Sequence, residues 1–162
     1  MERTRALLNS RPLPPPESFF QAICWDTSQH LDADQTSVWT FDADLTRIEC
    51  RCSYDALAET FSHGQILQRA DYPVYFQNII EDECVCAPQA QVQVATREFT
   101  ESYFKPAGIV SLLDFILHEN ARPYGVICCE NRRDIRHWSD ADQAYLRAMA
   151  VLTSFLFIPR SK

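Results

Sequence analysis

Gly108-Ile109-Val110-Ser111-Leu112-Leu113-Asp114-Phe115-Ile116-Leu117-His118, then Glu119-Asn120-Ala121-Arg122-Pro123, then Tyr124-Gly125-Val126-Ile127-Cys128-Cys129-Glu130 is the stretch that decides the fold. The first run is dense in β-branched and large apolar residues and is broken only by Ser111 and Asp114, which predicts a buried strand. The polar pentapeptide turns the chain and the second run returns it, so the pair reads as a hairpin. Ser139 follows as an N-cap, with Asp140 and Asp142 in the first turn, where the helix dipole favours acids. That helix is expected to run to about Ile158.

Working upstream, Val38-Trp39-Thr40-Phe41 is a second β-rich run, and Asp42-Ala43-Asp44 supplies turn chemistry. Its partner alternates, with Ile48, Cys50, Cys52 and Tyr54 expected on one face and Arg47, Glu49, Arg51 and Ser53 on the other. Residues 1–16, ending in Pro12-Leu13-Pro14-Pro15-Pro16, read as an extended lead-in. Glu17 to about Leu31 reads as a helix with Phe20, Ile23, Cys24 and Leu31 on one side. In the middle, Asp71-Tyr72-Pro73 opens a helix to about Asp82, and Cys84–Ala87 is a short strand stopped by Pro88. Thr96–Phe104 is a helix that gathers Phe99, Tyr103 and Phe104. Hairpins make antiparallel pairs, so the class is α+β, with helices against a central antiparallel sheet.

At 162 residues the chain fits one domain and can bury a core without a metal or disulfide. The net charge of −7 argues against nucleic-acid binding. Only two of the 15 basic residues, Lys105 and Lys162, are lysines, and Arg132, Arg133 and Arg136 read as a solvated loop. No apolar run approaches a membrane span and no secretory leader pattern opens the chain, so a cytoplasmic setting is expected, with the seven cysteines reduced.

Chemistry-bearing motifs mostly fail on spacing. Three glycines (Gly64, Gly108, Gly125) cannot build a phosphate loop or a dinucleotide fingerprint. His118-Glu119 lacks its second metal-binding histidine, since Arg122 stands there. Asp42-Ala43-Asp44 lacks the glycine and glutamate of a calcium loop, where Arg47 and Ser53 stand. The four histidines are scattered, and no residue is assigned a catalytic or metal-binding role. The pairs Cys50/Cys52 and Cys84/Cys86 could each present two thiols on one strand face. Inert core packing is the other reading of these sulfurs.

The ordered set resembles a GAF domain. The carrying segments are Gly108–Leu117, Tyr124–Glu130, Arg136-His137-Trp138-Ser139 with its acidic first turn, Val38–Asp42, Asp71–Phe76 and Thr96–Phe99. The last two are similar to GAF domains of bacterial sensor kinases and diguanylate cyclases. Leu45 stands where many relatives place glycine. The resemblance implies terminal helices on one sheet face, a ligand pocket on the other, and a sensory role for residues 17–158. Residues 159–162 would then lead to an output domain, a kinase or cyclase, absent from this chain. The Asn-Lys pair of cyclic-nucleotide-binding relatives and the Cys-His pair common in bilin-binding relatives are both missing. Cys84 and Cys86 do not reproduce the loop cysteines of GAF-fold methionine sulfoxide reductases. A small thiol redox enzyme using the Cys-x-Cys pairs is the alternative function.

Two expectations follow. The final helix carries a core stripe at Ala141, Tyr145, Ala148, Leu152 and Phe155/Leu156, with a second apolar set at Ala144, Val151 and Ile158 and Leu146, Ala150 and Phe157 beyond it. A helix apolar on two faces must bury both, which predicts a homodimer through the terminal helices. An unidentified small molecule is expected between the sheet and residues 71–107, bound by Phe76, Arg97, Phe99, Tyr103, Phe104, Ser111 and Asp114. Asp114 is the telling member, because a carboxylate inside an apolar strand must be solvated, paired or ligand-facing. No residue pattern names a cofactor.

Overall fold

The computed structural model describes residues 1–157; Ile158 and the tail 159–162, where a helix end and a link to an output domain are expected, lie outside the described residues. Elements run α1 (Glu2–Leu8), α2 (Pro16–Leu31), β1 (Gln35–Phe41), β2 (Arg47–Asp55), β3 (Thr60–Ser62), β4 (Ile66–Gln68), α3 (Pro73–Asp82) and β5 (Cys84–Ala87). Helical turns follow over 97–107, the last of them α4 (Lys105–Ala107), before β6 (Ser111–Glu119), β7 (Arg122–Asn131) and α5 (Asp140–Phe157). The sheet is antiparallel in order β3-β2-β1-β7-β6-β5, with β4 pairing the other half of β2. No helix among the described residues is long and apolar enough to cross a membrane.

Both faces of the central strands are covered, which is why β6 and β7 read as near-continuous apolar runs. On one face Phe20, Ile23, Cys24 and Leu31 of α2 and Leu146, Met149 and Ala150 of α5 pack over Val38, Leu113, Phe115, Ile127 and Cys129. On the other, Tyr75, Phe76 and Ile79 of α3, with Phe99 and Phe104, cover Trp39, Ile48, Leu112, Val126 and Cys128. Gly125 is required where β7 passes β1. A Cβ there would stand 2.0 Å from the Trp39 carbonyl oxygen. The turn after β1 is held by Asp42, whose carboxylate accepts the Thr46 N–H at 2.7 Å and the Arg47 N–H at 3.2 Å. Within that turn Leu45 adopts the left-handed φ of +56°.

Several expectations need correction. Residues 2–8 form a helix, not an extended lead-in. Buried Asp26 of α2 accepts the backbone N–H groups of Arg3 and Thr4 at 3.1 and 2.8 Å, so a tertiary contact caps α1. The even alternation of β2 also breaks. Val38 pairs with Cys52 and Trp39 with Cys50, leaving Arg51 as a bulge. One extra residue reverses the faces beyond it. Ile48 and Cys50 therefore face α3, while Cys52 and Tyr54 face α2.

On α5 the buried stripe is Leu146, Met149, Ala150 and Thr153, and Ala141, Ala148 and Phe155 of the expected stripe are exposed. The register is fixed by a reciprocal cap: Ser139 Oγ accepts the Asp142 N–H at 3.1 Å and Asp142 accepts the Ser139 N–H at 3.0 Å. Finally, the arginine cluster is tied down. Arg132 donates to Asp55 at 2.8 Å, Arg133 to Asp34 at 2.7 Å, and Arg136 lies over the Trp138 ring at 4.3 Å.

Candidate functional site

The face of the sheet opposite α2 and α5 carries two buried carboxylic acids. Asp114 on β6 is 1% exposed and Glu130 on β7 is 2% exposed. Asp114 pairs with Cys128 in the β6–β7 register, and Glu130 lies two residues further along the same face.

Two tyrosines come down on them from the covering layer. The Glu98 side chain accepts the backbone N–H groups of Val74 and Tyr75 at 3.2 and 3.0 Å, fixing the first turn of α3. From there the Tyr75 hydroxyl donates to Asp114 Oδ2. Residues 97–99 form a 3₁₀ turn and 100–104 a π turn, held by Thr96 and Thr100 hydroxyls donating to the Ala90 and Gln91 carbonyls, each at 2.7 Å. This departs from the regular helix expected over 96–104, and the wider turn still sets Tyr103 and Phe104 beside Phe99. The Tyr103 hydroxyl donates to Glu130 Oε2 at 3.0 Å and accepts from Gln35 Nε2 at 3.2 Å.

Trp39, Ile48, Leu67, Phe99, Phe104 and Leu112 complete the wall of a small cavity that also meets Tyr75, Tyr103, Asp114, Cys128 and Glu130. Its free volume is about 20 Å³, room for one or two water-sized groups. Burial pushes the Asp114 carboxyl up to about 7, against hydrogen bonds from Cys128 and Tyr75 that favour the anion. Burial, then the neighbouring Asp114, pushes Glu130 up to about 8. Asp114 Oδ1 is buried with no hydrogen-bond partner.

Of the expected ligand residues, Phe99, Tyr103, Phe104 and Asp114 line this cavity together. Phe76 belongs to the same apolar cluster, fully buried behind the wall. Arg97 and Ser111 do not belong to the site. Arg97 is exposed at the start of the 3₁₀ turn, because that turn directs Phe99 inward. Ser111 Oγ donates to the Pro88 carbonyl at 2.6 Å and accepts the Arg136 N–H at 2.8 Å, so it stitches loops to the start of β6. Tyr75, Cys128 and Glu130 were not anticipated. The signal for Glu130 was its two-residue step from Cys128 on a strand paired with Asp114's.

The thiols are dispersed. The β2 bulge sends Cys50 and Cys52 to opposite sheet faces, while Cys84 and Cys86 share one, half-buried. Burial raises Cys50 to about 12 and Cys84 to about 11, which suppresses the nucleophilic thiolate. Cys52 alone is lowered, by a hydrogen bond from Cys24, and it is 4% exposed. Among the described residues no group of three or more His, Cys, Asp or Glu side chains is placed to hold a metal ion.

The model of the GAF domain matches residues 15–155. The chain belongs to the GAF family. Its fold is similar to that of the GAF domain of an Acinetobacter phosphoenolpyruvate-protein phosphotransferase, at 15% identity and a TM-score of 0.70, covering 95% of this chain and 87% of that one. The GAF domain of PixJ from Thermosynechococcus elongatus, in its blue-light-absorbing form, is similar at 12% identity and a TM-score of 0.74, covering 87% and 83%. The chromophore-binding domain of Stigmatella aurantiaca bacteriophytochrome is similar at 13% identity and a TM-score of 0.72. There the match covers 96% of this GAF domain and 58% of the longer chain. No curated protein matches this sequence.

Proposed function

We propose that this GAF domain is the sensory module of a bacterial signalling protein, binding a small ligand under α3 and the 97–107 turns and passing the change to an output domain. A sensor kinase or diguanylate cyclase is the output expected. The observation that carries this reading is the cavity, because Asp114 lines it and a well-packed core does not ordinarily leave a buried carboxylate oxygen without a hydrogen-bond partner. Residues from β6, β7, α3 and the irregular turns meet there, so filling it shifts the covering layer against the sheet. No catalytic role is assigned to the domain itself. Dispersed, mostly buried thiols speak against the redox alternative.

Dimerisation belongs to the same proposal. Ala141, Ala144, Ala148, Val151 and Phe155 are exposed on α5 at alternating spacings of three and four, the period of a coiled-coil seam. A seam of this kind can carry a ligand-induced shift along the helix between two copies.

Thermal-shift screening with amines, amino acids, nucleotides and tetrapyrroles tests the binding claim, since a ligand for the native state raises Tm by mass action. A compound at 100 times its Kd contributes about 2.7 kcal/mol, a shift of several degrees. Such a hit should be lost in Tyr103→Ala and in Asp114→Ala. A hit retained by both variants places binding elsewhere.

A further inference from the structure

We infer that the cavity receives the cationic end of a small organic ligand: an ammonium, amidinium or protonated heteroaromatic nitrogen that donates N–H to Asp114 and is neutralised by Asp114 and Glu130. This rests on the sensory reading above and specifies the chemistry of the same site.

Three features converge on that class. The missing partner is a donor. Asp114 Oδ1 can only accept when the acid is ionised, and the nearby donors are already used or weak: Tyr75 on Asp114 Oδ2, Tyr103 on Glu130, and the single Cys128 thiol, a weak donor, between the two acids. The missing charge is positive. Among the described residues no ion pair reaches either acid, and Arg132, whose charge acts on Glu130 from a distance, is committed to Asp55 at 2.8 Å and to Gln35. Once ionised, the two buried acids would repel a phosphate or carboxylate ligand, and no cation lines the cavity to offset them, so the ionised site disfavours anions. The remaining wall is apolar and rich in aromatics, with Trp39, Phe99 and Tyr103 among its members, and aromatic rings attract a cation over an anion.

Volume limits the head group. About 20 Å³ admits a nitrogen and its immediate substituents, and a bulkier ligand displaces Phe99 and Tyr103. A trapped water is the competing occupant. It would donate to Oδ1 but would not neutralise the acids, so it shows no preference for charge.

The test uses the full chain labelled with ¹⁵N and titrated at pH 8.5 with methylguanidinium and phenethylammonium. Their neutral isosteres N-methylurea and 2-phenylethanol, and the anion phenylacetate, are run in parallel. The cations should shift amides of residues 112–116 and 126–131 and bind at least about tenfold more tightly than the isosteres, a difference of about 1.4 kcal/mol. Asp114→Asn should erase most of that preference and Glu130→Gln part of it, each retaining the parent's dispersed spectrum. If one variant fails to fold, the other carries the comparison. Equal binding of the neutral isosteres, or cation binding unchanged in the variants, overturns the cation assignment and leaves a ligand cavity standing. If none of the five compounds moves those amides at tens of millimolar, the cation assignment falls, and the cavity-binding reading falls with it unless the wider thermal-shift screen finds a ligand.

Discussion

The two buried acids should make the domain less stable as pH rises, the reverse of ordinary acid denaturation. In the unfolded chain Asp114 titrates near the usual 3.8, whereas burial holds it at about 7 in the folded state. Between those values the native state binds the extra proton, so unfolding stability falls with increasing pH and levels off above the folded value. From pH 5.5 to 7 the span is about 1.5 units, and at 1.36 kcal/mol per unit, less the levelling-off near the folded value, Asp114 alone removes somewhat under about 2 kcal/mol. Glu130, raised to about 8, extends the decline toward pH 8. Repulsion between the two anions makes their joint effect a property of the pair. Asp42 and Asp55 act with the opposite sign but below this window. Thr46 holds Asp42 low, and backbone N–H groups and Arg132 outweigh the burial of Asp55. For a chain of this length 2 kcal/mol corresponds to a Tm drop of about 4–8 °C. Urea melts at pH 5.5, 7.0 and 8.5 on the parent and on Asp114→Asn/Glu130→Gln measure it, the double variant keeping every other titrating group. A parent whose stability is flat or rises across this range refutes the reasoning, as does an equal decline in the double variant.

Gly125→Ala should cost about 3 kcal/mol or more, because a Cβ 2.0 Å from the Trp39 carbonyl forces β1 and β7 apart at a paired position. A loss below about 1 kcal/mol in urea unfolding would show that the strands separate without strain. The chain should be dimeric by light scattering at high micromolar concentration, and Ala148→Glu/Val151→Glu on α5 should make it monomeric with its melting temperature in dilute solution unchanged. A monomeric parent refutes the seam.

The two strands that decide the fold were legible because their environment is uniform. Leu112 to Leu117 and Val126 to Cys129 are buried whichever face they point to, so composition alone marks them. Strand β2 shows where that logic stops. Ile48, Cys50, Cys52 and Tyr54 are all buried, as alternation demands, yet the bulge at Arg51 divides them between two cores. With apolar layers on both sides, no penalty in the sequence marks the reversal, and the inference that Cys50 and Cys52 share a face fails for that reason. Helix α1 escaped for a related cause, its cap being Asp26, more than twenty residues away.

The site was legible through one incongruity and lost through another that looked ordinary. Asp114 interrupts an apolar strand, so its burial demanded an explanation. Glu130 sits at the end of its apolar run, just before Asn131-Arg132-Arg133, where an acid reads as the first solvated residue. The β6–β7 register removes that impression. Once Asp114 is opposite Cys128, Glu130 must share its face, and Tyr103 reaches it from the covering turns. Two acids on one dry face, with one buried oxygen left without a partner, is an arrangement that strand pairing creates and that neither strand encodes alone. Its stability cost is the pH-dependent term above, and a cation that removes the cost is the ligand the site selects.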